Sequence, residues 1–369
     1  MKTGKISESI LKRSVLKYCK TKRKEVVKGA APGVDCAFFS YPDGQGANAD
    51  GQMSACQNRV FCAATQTVSI PVTRAGCYAV YAAVNAIAAG GGEPFALQMA
   101  LTLPEGTEEA ELKRIMQLAE EAAGICKVQI AGGHTEVTGT VNHPVISVTA
   151  FGYRREDTGS TGCGASCEQP GENADGQNLQ KTGEQTGKKK KTVAGQAVVM
   201  TKWMGLEGTA ILAQEKEAEL LERYPFSITT AAKGFEKYLP ILPEAATALK
   251  SGATAMHDMR NGGVFGSLYE LAGRLGVGLS IDLKKIPVKQ ETIEICEFFD
   301  LNPYELLSGG SLLIVTEDGD GMVKVLEEAG IPAVIIGRTT DSNDKVLHNG
   351  EEIRFLEPAK PDEIGKVLV

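Results

Sequence analysis

The sequence predicts a mixed α/β protein of the α+β class, built as two regions joined by a polar stretch. In both regions, short apolar segments bounded by Gly or Pro alternate with segments of helical periodicity, which is typical of sheets covered by helices. Between them, residues 156–195 are rich in Gly and polar residues and carry four consecutive lysines. Such a composition cannot bury a core, so we expect a disordered insertion or linker there. The predicted division is therefore 1–155, 156–195 and 196–369.

The first region contains four predicted strands and two predicted helices. The strands are Arg59–Val68, Phe95–Leu103, Lys127–Ala131 and Pro144–Gly152, and the helices are Ala75–Ala89 and Thr107–Gly124. We expect Thr107 to cap the second helix, since a hydroxyl oxygen can accept a hydrogen bond from an N-terminal N–H group. Gly124 is expected to end that helix, as glycine often does.

The second region repeats the mixture of strands and helices. Its predicted strands are Ala197–Thr201, Gly278–Asp282, Ser311–Thr316 and Ala333–Gly337. Its predicted helices are Gly208–Arg223, Ile228–Tyr238, Gly263–Leu275, Thr292–Phe299 and Gly321–Glu328. Together the two regions favour a two-domain enzyme-like architecture.

Composition and charge exclude several classes of protein. The 369 residues include 39 Lys and Arg against 46 Asp and Glu, a net charge of −7, whereas nucleic-acid binding needs a basic face. The longest apolar run, Cys77–Ala89, is interrupted by Asn85 and too short to cross a membrane. Nine scattered cysteines and the absence of an apolar leader favour a protein of the reducing cytoplasm.

Glycine is frequent, with 42 residues, and two glycine pairs stand beside polar residues. Gly132 and Gly133 follow a predicted strand and precede His134, Thr135 and Glu136. Glycines at a strand end let backbone N–H groups approach a ligand, with the polar side chains beside it. A simple turn would explain the same pattern.

The second glycine pair, Gly262 and Gly263, opens a predicted helix shortly after Asp258. A helix N-terminus with glycines favours anions, and Asp258 would either hold a cation or cap the helix. Capping alone would also account for the pattern. A third candidate, Asp35, precedes an apolar strand, where a solvated turn aspartate is the ordinary explanation.

Taken together, the order and spacing of these segments carry a family resemblance. The segments are GVDCAFF, AVNAIAAGGGEPFAL, IAGGHTEVT, MTKWMGLEGTAILA and MHDMRNGGVFGSLYELA. The chain resembles the superfamily of aminoimidazole-ribonucleotide (AIR) synthase, HypE, thiamine-monophosphate kinase and selenophosphate synthetase, and is most similar to its HypE-like group. The resemblance extends over nearly the whole chain outside 156–195.

The resemblance implies an AIR synthase-like fold in which the N-terminal sheet pairs with that of a second subunit in a homodimer. It further implies ATP in a cleft, Mg²⁺ held by acidic residues, and activation of a small amide, acid or phosphate substrate by phosphorylation. The implied roles fall on the motif residues. These are His134, Glu136 and Asp258 for catalysis, Asn85, Gly132, Gly133, Thr135, Gly262 and Gly263 for cofactor binding, and Asp35, Glu136 and Asp258 for the metal.

Three positions depart from the family pattern. Val34, Gln66 and Ala86 stand where the family usually carries an acidic residue. Because Mg²⁺ prefers carboxylate ligands, these changes weaken the implied metal site. The alternative is therefore a catalytically impaired member that binds a nucleotide or another anion, or acts as a regulatory dimer.

Overall fold

The computed structural model describes residues 8–19, 25–40, 59–155, 193–358 and 360–368. We call the described residues up to 155 the N-terminal half and those from 193 onward the C-terminal half. The predicted linker at 156–195 lies outside the described residues except for its last three positions. The division into 1–155, 156–195 and 196–369 therefore stays a prediction.

The N-terminal half is a six-stranded sheet with helices on one face. Its elements are α1 (Glu8–Ser14), β1 (Val26–Lys28), β2 (Ala37–Phe39), β3 (Arg59–Val68), α2 (Ala75–Ala89), β4 (Glu93–Pro104), α3 (Glu109–Cys126), β5 (Gln129–Thr138) and β6 (Val145–Arg155). The strand order is β1-β2-β3-β6-β4-β5. Only β4 and β5 of this sheet pair in parallel, because α3 connects them as a crossover helix.

Helix α2 is buried along all fifteen of its residues. Its sequence is apolar on every side apart from Asn85, and a helix of that kind must be covered all round. The N-terminal sheet and α3 cover part of it, and residues of the C-terminal half, including Ile211 and Leu239, join the same core. Among the described residues, no helix combines the length and apolar character needed to cross a membrane.

The C-terminal half is a seven-stranded sheet with helices on both faces. Its elements are β7 (Ala197–Thr201), α4 (Leu206–Glu215), α5 (Glu217–Leu221), α6 (Phe226–Lys233), α7 (Leu242–Lys250), β8 (Ala253–Asp258), α8 (Gly263–Leu275), β9 (Gly278–Asp282), α9 (Gln290–Phe298), β10 (Leu312–Thr316), α10 (Gly319–Glu328), β11 (Ala333–Thr340), β12 (Lys345–Asn349), β13 (Glu352–Phe355) and α11 (Gly365–Leu368). The strand order is β13-β12-β9-β11-β7-β10-β8.

Strand β7 shows how the second sheet is covered. Val198 and Met200 face a core that includes α8, whereas Val199 faces a core built with α7 and α10. This alternation follows from the two-residue period of a strand that is buried on both faces. The two sheets with their helices confirm the predicted mixed α/β fold.

Several predicted boundaries are confirmed and others are wrong. The bounds of α2, α8, β3, β7 and β9 agree with the prediction. The single helix predicted over Gly208–Arg223 is interrupted at Lys216, which divides α4 from α5. Thr107 does not cap α3, because its hydroxyl donates to the Pro104 carbonyl. The residue that ends α3 is Lys127, in the left-handed conformation, and Gly124 lies inside the helix.

A buried asparagine fastens α2 to the C-terminal half. The Asn85 side-chain amide donates to the Leu239 carbonyl at 2.8 Å and accepts from the Ile241 N–H at 3.1 Å. The Lys202 ammonium donates to the Tyr238 and Pro240 carbonyls, so the segment 238–241 is held from both sides. The Asn85 side chain therefore serves as both donor and acceptor at the junction between the halves.

Replacing Asn85 with alanine is expected to destabilise the fold by about 2–3 kcal/mol, because the Leu239 carbonyl and the Ile241 N–H would stay buried without partners. The free energy of unfolding from a denaturant titration measures this. Asn349→Ala, at an exposed position in β12, is the matched control and should change stability by less than about 0.5 kcal/mol. Equal stability of both variants would contradict the role given to Asn85.

Candidate functional site

A cleft of about 1140 Å³ lies between the two halves. The N-terminal half contributes residues 31–35, the end of β3 and one side of α2. The C-terminal half contributes the end of β8 with the loop after it, α8 and the segment 360–366. Both halves are needed to form its walls, so the cleft depends on the contacts that join them.

The positions that depart from the family pattern meet in this cleft. Val34, Gln66 and Ala86 come from a loop, a strand and a helix, yet all three line it together with Asp35 and Asp258. Residues so far apart in sequence meet only if the fold places them at one site. The cleft therefore contains the positions of the implied metal cluster, apart from Glu136.

Asp35 is held by two basic side chains of the C-terminal half. His257, near the end of β8, places Nδ1 2.8 Å from Asp35 Oδ1. Arg274, in the last turn of α8, donates to Asp35 Oδ2 at 2.9 Å and to the Met256 carbonyl at 2.6 Å. On its other side, His257 Nε2 lies 3.4 Å from the Glu270 carboxylate. These four side chains form what we call the Asp35 cluster.

The Asp35 cluster shifts the pKa of its members. Burial alone would lower the pKa of His257, but the charge and hydrogen bond of Asp35 raise it to about 9, with a further hydrogen bond from Glu270. Burial would raise the pKa of Asp35, yet His257 and then Arg274 hold it below its usual range. At neutral pH, Asp35 is thus ionised and His257 is protonated.

Gly33 brings the Asp35 loop against α8. Its φ is +67°, and a Cβ there would lie 2.6 Å from the Glu270 carbonyl oxygen. Glycine is required on both counts, because other residues rarely adopt this conformation and a side chain would strike the helix backbone. The close approach places Asp35 within reach of Arg274, one helical turn after Glu270.

Arg260 is the buried cation of the loop after β8. Its guanidinium donates to both carboxylate oxygens of Glu207, at 3.1 and 3.4 Å, and lies 3.5 Å from the Gln66 amide oxygen. The Arg260 side chain is 13% exposed, and both Arg260 and Glu207 line the cleft. These contacts leave further N–H groups of the guanidinium for a ligand.

Asp258 lines the same cleft, but no basic side chain contacts its Oδ1. Its Oδ1 is buried and lacks a hydrogen-bond partner. Burial raises the pKa of Asp258 to about 8, and the charge of Arg260 offsets part of that effect. Near neutral pH its carboxyl group is therefore largely protonated and can donate a hydrogen bond.

The predicted anion site at the start of α8 contains a carboxylate of the chain itself. The Gly262 N–H donates to Asp362 at 2.7 Å, and the same carboxylate accepts from the N–H groups of Leu307 and Ile364. Gly263 packs against the backbone of residues 304–306. A Cβ at Gly263 would lie 2.4 Å from the backbone carbonyl oxygen of Tyr304. Both glycines thus have internal partners, and their predicted role in cofactor binding stays a prediction.

The predicted residues of β5 lie away from the cleft. The strand does not end at Ala131 but continues through Gly132, Gly133, His134, Thr135 and Glu136 to Thr138, as the outermost strand of its sheet. A Cβ at Gly133 would lie 1.8 Å from the Met99 carbonyl oxygen, so close packing on β4 accounts for that glycine. His134 and Glu136 are exposed, 3.5 Å apart.

Asn85 likewise does not line the cleft, because its amide is bound to the segment 238–241. Of the ten residues proposed for catalysis, cofactor or metal, the structure brings only Asp35 and Asp258 to the cleft. The roles assigned to the others stay predictions.

The residues present do not fit the implied Mg²⁺ cluster. Mg²⁺ needs unprotonated oxygen ligands in one place. Both oxygens of Asp35 have basic partners, Asp258 is largely protonated, and Glu136 lies on the far strand of the sheet. Within the part of the chain that the structure describes, no three His, Cys, Asp or Glu side chains are arranged to hold a metal ion.

Sequence reasoning did not find the partners of Asp35. Arg274 stands where a basic residue ordinarily stabilises the end of a helix, and nothing local marks a contact with a residue 239 positions earlier. Arg260 stands two residues after Asp258 in a segment that carries the resemblance, but no role was assigned to it. Glu207 was visible only as part of a matching segment.

The comparisons with known proteins agree with this geometry. Residues 34–153 match the family described as AIR synthase related protein, N-terminal domain, and residues 193–349 match its C-terminal domain. The chain belongs to the AIR synthase-related family. The two matched ranges contain most of the residues that line the cleft.

Individual relatives of this AIR synthase-related chain are distant. A hydrogenase expression/formation protein of Methanocaldococcus jannaschii is 27% identical over 278 residues, covering 74% of this chain and 72% of that protein. Carbamoyl dehydratase HypE of Rhodobacter capsulatus is 26% identical over 275 residues, covering 73% and 71%. The crystal structure of HypE in complex with ATP aligns with a TM-score of 0.63 and 19% identity, covering 86% and 90%, which shows a shared fold.

Stability is expected to fall as pH rises from about 6.5 to 9. In the folded state His257 holds its proton up to a pKa of about 9 and Asp258 up to about 8, whereas the unfolded chain releases both protons at lower pH. The folded state thus binds more protons in this window, and that advantage disappears as they leave.

Denaturant titrations across this pH range measure the effect, with Asp258→Asn as the comparison. The variant should lose the part of the pH dependence that belongs to Asp258, between about pH 4 and pH 8, and keep the part that belongs to His257. A wild-type profile that is flat from pH 6.5 to 9 would contradict the protonation states described above.

Proposed function

We propose that this protein binds ATP in the cleft between its halves and uses it to activate an oxygen of a small amide, acid or phosphate substrate. The observation that carries the proposal is the meeting of Val34, Asp35, Gln66, Ala86 and Asp258 in one cleft. These are positions at which the family resemblance implies the acidic metal cluster of an ATP-using enzyme.

The size of the cleft supports this assignment. Binding sites for small molecules typically enclose about 300–1000 Å³. A cleft of about 1140 Å³ has room for a nucleotide and a small second substrate side by side. Among its relatives, one is named a carbamoyl dehydratase, and a solved structure of the same fold contains ATP.

Arg260 is the residue best placed to receive a phosphate. ATP would supply the phosphoryl group that turns a poorly reactive oxygen into a leaving group. The chain would contribute the guanidinium of Arg260, which exchanges part of its contact with Glu207 for phosphate oxygens. Lys360 and Lys366 lie at the rim with side chains 54% and 58% exposed, and each is paired with a glutamate that phosphate oxygens would replace.

ATP at about 100 times its dissociation constant is expected to stabilise the protein by about 2.7 kcal/mol, seen as a rise in melting temperature. Arg260→Gln should weaken ATP binding roughly tenfold or more, since a hydrogen bond to a charged group contributes about 1.5–3 kcal/mol. Isothermal titration measures the affinity, and circular dichroism checks that the variant is folded.

Arg223→Gln is the matched control, because Arg223 pairs with Glu297 on the surface outside the cleft and should leave ATP affinity unchanged. No thermal shift at millimolar ATP would contradict the proposal. Binding without phosphate release, tested with a panel of small carboxylates and carboxamides, would instead favour the catalytically impaired member.

We further propose that the outer face of the N-terminal sheet forms a homodimer interface. This face carries an aromatic cluster in which Phe95 stacks on Tyr153 at 4.6 Å and Phe61 packs beside both. Phe95 and Tyr153 are each 38% exposed. An exposed aromatic cluster on a sheet face is typical of a protein interface.

Phe95→Asp is expected to convert the dimer into a monomer, because a charge would be buried without a partner in the interface. Light scattering after size-exclusion chromatography measures the mass. Ile353→Asp, at an exposed position on β13, is the control and should remain dimeric. A wild-type protein that is monomeric at micromolar concentration would contradict this proposal.

A further inference from the structure

We propose that this chain supplies its own cations where the family resemblance implies a metal ion. His257 and Arg274 neutralise Asp35, so that Asp35 joins the two halves of the protein and does not bind a divalent cation. Asp35 is then a positioning residue for the cleft wall. This inference does not depend on the proposed use of ATP.

Both carboxylate oxygens of Asp35 already contact basic side chains. One faces His257 Nδ1 at 2.8 Å, and the other accepts from the Arg274 guanidinium at 2.9 Å. The side chains of Asp35, His257 and Arg274 are 7%, 5% and 10% exposed, so water competes little for these contacts. A metal ion approaching Asp35 would therefore compete with two buried cations for its oxygens.

The Asp35 cluster already contains two positively charged side chains. His257 contacts the carboxylates of Asp35 and Glu270 through its two ring nitrogens, an arrangement that requires both nitrogens to carry protons. Among these four side chains, two carboxylates therefore face one imidazolium and one guanidinium. A divalent cation brought to Asp35 would stand directly beside these two cations in a buried place, which is strongly unfavourable.

A second buried acid of the cleft is also paired with a basic side chain. Glu207, 5% exposed at its side chain, is bound by Arg260, and Arg260 also reaches Gln66. The resemblance implies an acid at position 66, where an amide now lies beside a guanidinium. The neutral residues Val34, Gln66 and Ala86 thus line a cleft in which the acids Asp35 and Glu207 both have basic partners.

The contacts of Asp35 also join the two halves of the protein. Asp35 and Gly33 belong to the N-terminal half, whereas His257, Glu270 and Arg274 belong to the C-terminal half. The tight contact between Gly33 and the Glu270 backbone holds the loop on α8, and the ion pairs form directly beside it. The loop wall at residues 31–35 is therefore fixed by charge pairing across the two halves.

The test is a titration with Mn²⁺ alone, with free Mn²⁺ followed by electron paramagnetic resonance. The wild-type protein is expected to bind no Mn²⁺ in the millimolar range, and its melting temperature should be the same in Mg²⁺ and in EDTA. The double variant His257→Asn with Arg274→Gln leaves Asp35 and Glu270 without these cations. It should bind Mn²⁺ at least tenfold more tightly than the wild type.

Two further variants identify the residue responsible. Adding Asp35→Asn to the double variant should abolish the new Mn²⁺ binding. Arg223→Gln, which removes a surface arginine from its pair with Glu297, should behave as the wild type. The proposal is overturned if the wild type binds one Mn²⁺ per chain and Asp35→Asn alone removes that binding.

Asp35→Asn in the wild-type background keeps the proposal testable if the double variant does not fold. The proposal expects a lower melting temperature, because the ionic link between the halves is lost, and no change in Mn²⁺ binding. An Asp35→Asn protein as stable as the wild type would overturn it. Since no nucleotide is present in these titrations, failure to bind ATP would leave their outcome unaffected.

Discussion

Helix α2 can exist only where water is excluded from every side of it. A sheet covers one side of a helix, so the N-terminal sheet leaves the remaining surface of α2 to be buried by the C-terminal half. The polar side chain of Asn85 can be buried there because it hydrogen-bonds backbone groups of the segment 238–241. The cleft follows from this arrangement, since the neighbouring Ala86 and Tyr78 face the space that remains between the two halves.

The chemistry of the cleft is set by charges from distant parts of the chain. A loop before β2, the end of β8 and the last turn of α8 contribute Asp35, His257 and Arg274, and each is stable in a buried place only because the others are present. Asp258 has no such partner, and its proton takes the place of one. The result is a pocket rich in ionisable side chains in which much of the charge is balanced internally.

The fold class and the regular elements were largely predictable, because hydrophobic period and terminal residues are local properties. Helices α2 and α8 illustrate this, with bounds that agree with the prediction. The site was less predictable. Asp35 and Asp258 were found from their family pattern, whereas Gly133 serves strand packing and Asn85 serves the junction between the halves. A buried amide and a ligand-binding amide look alike in sequence, and the contact of Arg274 with Asp35 depends on tertiary structure that no local pattern contains.

The carboxylate of Asp362 anchors the segment 360–366 beside the cleft. Three backbone N–H groups, from the start of α8, from Leu307 and from the segment itself, fix it against the cleft. The segment belongs to neither sheet, so its exposed side chains Lys360 and Lys366 can change without disturbing a strand register. Selection can therefore retune what enters the cleft by altering a few residues near the C-terminus, while the scaffold that holds the two halves together stays the same.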